Sequence, residues 1–479
     1  MTAAIKSLTG APSTRTLHWN FIDWKTVEEQ VYRLQVRIAK ATRENKHGKV
    51  KALQWLLTHS LNAKLMAVKR VTQNQGKNTP GVDNILWQTP CQKMKAVSSL
   101  VRRGYKPLPL KRIYIPKKKG RRPLSIPCMV DRAQQALYLL ALEPVVETTV
   151  DPNTYGFRPK RSAADAIEQC HLCLCKKVSS QWIFSGDIKA CFDEISHQWL
   201  LDNTPMDKEI LGKWLAAGYM EKGAFHQTSE GTPQGGIISP ALLLVTLTGL
   251  EKRIKKTYFR HKDKVNVVVY ADDFIITGST REILAEGVVP IVEEFLKERG
   301  LGLSHEKSHI THIDEGFNFL GFTIRKYQGK VLTKPSKDNV KSFLGNIREA
   351  IKSHGTAKQE NLIHLLNPKI KGWANYFKYS AAHKTFSYVD YHIDKTLYSW
   401  VKRRHSRKGV SWRQRKYYRT RDLNHWIFSV KVVNPDFTRG QFDLARMGDI
   451  PVKRYIKIRG AANPYDPAFD EYFKWRRHR

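Results

Sequence analysis

The stretch VVVYADDFIIT, residues 268–278, sets Asp272 and Asp273 side by side between two runs of apolar, mostly β-branched residues. A third acid, Asp187, closes another apolar run, WIFSGD, well upstream. If the two strands pair antiparallel, three carboxylates share one corner, and their repulsion raises their pKa values unless cations neutralise them. Hard Mg²⁺ prefers carboxylate oxygens together with substrate phosphates. Two such ions roughly 3.5–4 Å apart lower the pKa of an attacking hydroxyl and stabilise the leaving oxygen of an in-line displacement. That chemistry is phosphoryl transfer. A plain hairpin with an acidic turn explains Asp-Asp alone equally well, because Asp is a good turn residue. The elements that would position the acids must decide.

The chain has 479 residues, 41% of them hydrophobic, which is enough for two to four structural units. Its 82 Lys and Arg outweigh 43 Asp and Glu, a formal net charge of +39. Self-repulsion of that size opposes compaction and calls for a polyanionic partner. No apolar stretch approaches the ~18 residues of a spanning helix, and the opening MTAAIKSLTGAPSTRTLHWN lacks the apolar block of a secretory signal. Nucleic acid is therefore the expected partner and no membrane is, which places the protein in the cytoplasm at the nucleoid or in an organelle. Cys170, Cys173 and Cys175 cluster in CHLCLC without a second ligand pair at loop spacing, so a buried reduced cluster is expected rather than zinc.

Val27, Val31, Leu34 and Ile38 repeat at helical spacing, and Val50, Leu53, Leu57, Leu65 and Val68 read as another helix. QNQGKNTPGVDN then marks a loop. Residues 101–122 carry ten Lys/Arg and no acid; Pro107, Pro109 and Pro116 make the segment extended, with Tyr105, Ile113, Tyr114 and Ile115 interleaved to hold the cations on strands. EGTPQGGIISPALLLVTLTGL is a glycine-rich turn entering an apolar helix, and its spacing does not match a P-loop. Beyond residue 335 the pattern is fully helical. Residues 401–420 hold nine Lys/Arg among Trp412, Tyr417 and Tyr418, a mixture suited to phosphate contact and base stacking.

YADD at 270–273, GDIKACFDEI at 186–195 and GTPQGGIISP at 231–240 resemble the palm of reverse transcriptases. IPKKKGRRPLSIP, NTYGFRPKRSAADAI, LGLSHEKSHI, FNFLGFTI and LNPKIKGWANYFKYS follow in the order of group II intron reverse transcriptase–maturases. The resemblance runs from about residue 20 onward. It implies an α+β right-hand polymerase: a helical RNA-binding extension (1–95), fingers (96–180), palm (181–325), helical thumb or maturase domain (326–408) and a basic DNA-binding segment (409–479). The implied activity is RNA-directed DNA synthesis on group II intron RNA, with maturase assistance to splicing. A splicing-only RNA-binding protein and a reverse transcriptase recruited to a defence system, such as a CRISPR-associated one, are the alternatives, and deoxynucleotide incorporation separates the first pair.

Carried onto this chain, the resemblance makes Asp187, Asp272 and Asp273 the catalytic ligands of two Mg²⁺ ions, with Mn²⁺ as a substitute and the Ile188 backbone carbonyl as a further ligand. Lys117, Arg122, Phe192, Gln234 and Lys307 would contact the deoxynucleoside triphosphate, Phe192 as the bulky ring that rejects a 2′ hydroxyl. Tyr270 and Ala271 would support the acidic turn. Lys77, Arg158, Arg161, Arg403, Arg404 and Lys408 are RNA-contact candidates. For Trp373 and Tyr376, core packing and RNA contact are both open. No cysteine follows Cys191, so the cysteine-bound endonuclease of many relatives is expected to be absent, and the primer on target DNA would have another source.

Overall fold

The computed structural model describes residues 18–116, 120–232, 235–421, 424–433 and 439–477. Amphipathic spacing folds the first region into α1 (Trp24–Arg43), α2 (His47–His59), α3 (Leu61–Gln73) and α4 (Pro90–Ser99). Asp23 caps α1 by accepting from the Lys25 and Thr26 N–H groups, and Thr89 with Gln92 forms a reciprocal box at α4. The apolar series from Val50 to Val68 is two helices rather than one, because Ser60 is extended (φ −67°, ψ 133°) between α2 and α3. Both halves still lay their stripes on α5 (Met129–Thr149). That helix is buried along most of its length, with Asp131, Arg132, Gln134, Gln135 and Glu147 among its buried residues, so its polar groups must find partners inside. It joins the N-terminal core to the core of the next unit.

Strands β1 (Leu110–Pro116) and β2 (Arg121–Ile126) form an antiparallel hairpin. Tyr105, expected on a strand among the cations, lies before β1 and is buried. Its hydroxyl lies 2.7 Å from Asp131 Oδ1 and accepts from the Trp214 indole at 2.9 Å. A ring whose polar tip finds partners inside gains more from the core than from water.

After α6 (Ala163–Leu174) come β3 (Trp182–Asp187), α7 (His197–Asn203), α8 (Lys208–Leu215), β4 (Tyr219–Glu221), β5 (Ala224–His226), α9 (Ser239–Leu247) and α10 (Leu250–Thr257). Then follow β6 (Asn266–Tyr270), β7 (Asp273–Gly278), α11 (Val289–Lys297) and β8 (His309–His312). Strands β4 and β5 extend the first hairpin into a sheet ordered β2-β1-β4-β5. The central sheet is β6-β7-β3-β8, antiparallel throughout. Val267, Val269, Phe274 and Ile276 face the core that also holds α9 and α11. Cys170 is buried on α6, Cys173 and Cys175 are half-buried, and each is a free thiol.

A meander of β9 (Phe317–Phe319), β10 (Phe322–Tyr327) and β11 (Lys330–Pro335) leads into α12 (Lys337–Ser353), α13 (Gln359–Phe377), α14 (His383–Arg404) and α15 (Val410–Tyr417). Trp373 stacks on Phe343 and donates to Asn339 at 2.8 Å, and the Tyr376 hydroxyl donates to the Leu320 carbonyl. Both serve packing. The expectation of a fully helical region past residue 335 fails at β12 (Tyr418–Arg421), β13 (Asn424–Val433) and β14 (Arg439–Asp443), an antiparallel sheet. Tyr417 and Tyr418, expected among the cations as stacking platforms, are buried in the same core as Phe428. The dense charge around them hid the apolar residues that close this core. Trp412 keeps Lys408 and Lys416 over its ring, at 5.5 and 4.8 Å.

Residues after β14 run back over the molecule to α16 (Asp470–Arg477). Asp165, 0% exposed at the start of α6, accepts from the Ile458 N–H at 2.8 Å and from Arg476 at 2.7 Å. Asp466 pairs with Arg43 at 2.6 Å, and Tyr32 lies 3.2 Å from Asp470 Oδ1. A segment expected to face DNA thus spends part of its length fastening α1 to α6. Among the described residues no helix is long and apolar enough to cross a membrane.

Candidate active site

Strand β3 pairs with β7 so that Asp187 stands directly opposite Asp273. Opposite residues of an antiparallel pair project from the same face, and like charges there oppose folding. The hairpin turn between β6 and β7 is Ala271-Asp272, with Ala271 in left-handed backbone (φ 57°). The Asp272 carbonyl accepts from the Ile188 N–H at 3.3 Å, tying the turn to the end of β3. All three acids therefore meet at one end of the central sheet.

Two glycines let the backbone come this close. A Cβ on Gly186 would lie 2.2 Å from the Phe274 ring, so the strand can cross that ring only where a side chain is missing. A Cβ on Gly156 would lie 2.3 Å from the Ala271 nitrogen and 3.0 Å from the Tyr270 carbonyl carbon. The 153–156 segment is bonded to β6 beside the turn, the Tyr155 N–H donating to Val269 at 2.9 Å and the Val269 N–H to Asn153 at 3.0 Å. Neither glycine was singled out in the sequence. The signal for Gly186 was there: a glycine inside an apolar strand marks a close approach.

The electrostatics follow from this crowding. Asp273 is pushed up to about 6, first by loss of water around its carboxyl, then by Asp272 and Asp187, with Lys307 opposing. The Lys307 ammonium bonds the Asp187 carboxylate and is raised by that bond. Lys307 is aimed by the turn from Ser304 to Ser308: the Ser304 N–H donates to the Asp187 carbonyl at 2.8 Å, and the Asp187 N–H donates to Ser308 Oγ at 3.3 Å. The bonds flanking the Ile188–Leu303 bridge use the Asp187 carbonyl and the Lys189 N–H, so neither engages the Ile188 carbonyl. Among the described residues no three His, Cys, Asp or Glu side chains form a ready-made ion cage. Magnesium does not require one, since it keeps waters and substrate phosphates among its ligands.

Phe192 is half-buried and meets Phe157 edge-on at 6.3 Å. Its carbonyl accepts from Thr232 at 2.6 Å, which stitches the glycine-rich turn to the segment after β3. Tyr270 is half-buried against the core shared with β9, β10 and α13. Arg122 lies exposed on β2, opposite Ile115. Lys117 and Gln234 lie outside the described residues.

The RNA-contact candidates divide. Lys77, Arg403, Arg404 and Lys408 are exposed. Arg158 is not available: it is 6% exposed and grips both oxygens of buried Glu147, at 2.8 and 2.9 Å. Arg161 is turned inward as well, donating to the Gly460 and Ala462 carbonyls, and burial lowers it to about 10. The resemblance alone made Arg158 a contact candidate; Glu147 on α5 supplies its partner instead.

The match to known families follows the same order along the chain. Residues 19–100 match the N-terminal domain of reverse transcriptase, 115–324 the reverse transcriptase (RNA-dependent DNA polymerase) family, and 340–418 the group II intron maturase-specific domain. Protein YkfC of Escherichia coli is 32% identical over 304 residues, 54% of this chain and 79% of that one. The group II intron-encoded protein LtrA of Lactococcus lactis is 26% identical over 440 residues, 71% and 72% of the two chains. Maturase-like protein 1 of Euglena gracilis is 24% identical, covering 80% of this chain and 82% of its own. The chain belongs to the group II intron-encoded reverse transcriptase–maturase family, whose members join an RNA-directed DNA polymerase to a splicing maturase. It is thus an RNA-binding polymerase of a class that works with divalent metal ions.

Proposed function

We propose that Asp187, Asp272 and Asp273 are the catalytic centre at which a primer 3′ oxygen attacks the α-phosphate of a deoxynucleoside triphosphate, releasing pyrophosphate, on a group II intron RNA template. The observation that carries this is the register that sets Asp187 opposite Asp273 beside the Asp272 turn. No fold benefits from opposing carboxylates unless a cation shares them. The donors fit a hard divalent ion: they are all oxygens, and Asp273 is raised first by loss of water and then by its two acidic neighbours, despite Lys307. Two Mg²⁺ ions, or Mn²⁺ in their place, would be held by these carboxylates and the Ile188 carbonyl, supplying a more acidic primer hydroxyl and a stabilised leaving oxygen.

The remaining roles belong to the chain. Lys307 holds Asp187 in place when no substrate is bound and is sited to turn towards the departing pyrophosphate. Arg122 on the β1–β2 hairpin reaches for the triphosphate, with Lys117 and Gln234 completing that contact. The Phe192 ring, braced by Phe157, lies against the sugar and excludes a 2′ hydroxyl. Tyr270 and Ala271 fix the turn. Residues 1–95 grip the intron RNA, with Lys77 on their loop. Residues 96–180 and 181–325 serve as fingers and palm, and 326–408 as thumb and maturase surface. Arg403, Arg404 and Lys408 meet RNA phosphates, and the exposed cations of 409–479 meet target DNA.

Asp272→Ala with Asp273→Ala should abolish extension of a DNA primer on an RNA template, while RNA affinity stays within about twofold. Synthesis at the parental rate by that variant overturns the assignment.

A further inference from the structure

We infer that the cleft between the end of α2, the α4–β1 connection and α5 is a second nucleotide site, taking one base with its phosphate, apart from the polymerase centre. It encloses about 400 Å³, within the roughly 300–1,000 Å³ typical of ligand sites. None of the three aspartates lines it.

Three features define the ligand. The first is a buried acceptor with nothing to accept. Gln134 is 1% exposed, and its amide nitrogen donates to the Val101 carbonyl at 2.9 Å. Only the nitrogen can donate, so the orientation of the amide is fixed and Oε1 is left without a partner. Buried oxygens in that condition call for a donor; Oε1 has no open surface in the cleft, so a base seated there meets it with an exocyclic amine or ring N–H by drawing the amide outward. The next residue, Gln135, accepts from the Ile237 N–H at 2.8 Å, beside the glycine-rich turn. Successive residues of α5 thus serve the turn and this cleft separately.

The second feature is a flat apolar wall. Trp55 is 59% exposed, yet its indole is held by His59, stacked on it at 4.2 Å and 22°. The His59 Nδ1 is in turn 2.8 Å from the Trp55 carbonyl. A large aromatic kept rigid at the surface is a stacking platform for any base. Leu100 and Leu137 close the floor. The third feature is uncompensated positive charge. Lys64 and Arg103 line the cleft and make no ion pair among the described residues, whereas Arg102 is taken up by Asp207 and Glu209. A planar body, an N–H donor and an anion together describe a nucleotide. The inference stands independently of the assignment of the polymerase centre.

The test uses the full chain and a single-stranded RNA oligonucleotide carrying 4-thiouridine, irradiated and digested, with adducts located by mass spectrometry. Adducts are expected on the peptides holding Trp55–Lys64 or Leu100–Arg103. Trp55→Ala should reduce them at least tenfold, and Trp55→Phe should restore them, with the melting temperature unchanged. Competition by unlabelled RNA but not by AMP assigns the site to a nucleotide within a strand; competition by AMP assigns it to a free nucleotide. Adducts confined to other peptides, or undiminished in Trp55→Ala, overturn the inference.

Discussion

Replacing Gly156 by alanine tests whether the acidic turn depends on the segment packed behind it. The added methyl would sit 2.3 Å from the Ala271 nitrogen, where ordinary contact begins at 3.4 Å, so backbone must yield by about 1.1 Å. The nearest atoms are all backbone of Tyr270 and Ala271, with no flexible side chain to swing aside. Overpacking of this kind costs about 1–3 kcal/mol of stability. The larger effect is expected on chemistry, because displacing catalytic groups by about 1 Å can lower a rate roughly 10²-fold. Single-turnover extension of a primer on an RNA template should therefore slow about a hundredfold, with RNA affinity within about twofold of the parent. Gly345→Ala is the control, since its methyl meets nothing within 4 Å. Extension by Gly156→Ala at the parental rate would refute the claim that this contact positions Asp272 and Asp273.

Other consequences of the structure are equally open to measurement. Arg158→Met leaves Glu147 buried without its partner, so chemical denaturation should show a loss of about 3–5 kcal/mol; the slope of log affinity for RNA against log salt should not change, as it would if Arg158 contacted phosphate. Arg476→Ala removes the cation from the fully buried Asp165. Its backbone donors remain, so a smaller loss of about 1–3 kcal/mol is expected, with increased proteolysis after residue 450. Asp394 is held at about 6, chiefly by burial, with Asp390 adding to the rise and Arg446 opposing. A carboxyl raised above its unfolded value of 3.8 favours the folded state when protonated, so that contribution is lost as pH climbs from about 4 to 6. Asp394→Asn should therefore raise the melting temperature at pH 7.5 and leave it nearly unchanged at pH 4. Equal shifts at both pH values would exclude the titration of Asp394 as the cause.

The sequence made the acids legible because each sits at the end of a short apolar run, and a strand with its turn is written locally. Their meeting at one corner needed only that β3 and β7 pair. What stayed hidden was written between distant residues. Gly156 matters through a turn more than a hundred positions later, and nothing near it announces that contact. Arg158, an RNA-contact candidate through the resemblance, is bound instead by Glu147 on the preceding helix, a pairing that no local stretch of sequence displays. The strands β12–β14 were obscured by cations that occupy the outer faces while Tyr417, Tyr418 and Phe428 turn inward. The break at Ser60 was likewise invisible to periodicity, because both helices keep the same stripe on α5.

The ties between the two ends of the described chain bear on how the protein is made. Arg43 waits 423 positions for Asp466, and Tyr32 waits 438 for Asp470. At a ribosomal pace of roughly 5–20 residues per second, that interval lasts roughly 20–90 s. Throughout it α1 can settle on α5 but lacks its far anchors, leaving the nascent N-terminal helix with the unpaired donors of Tyr32 and Arg43 on the polysome.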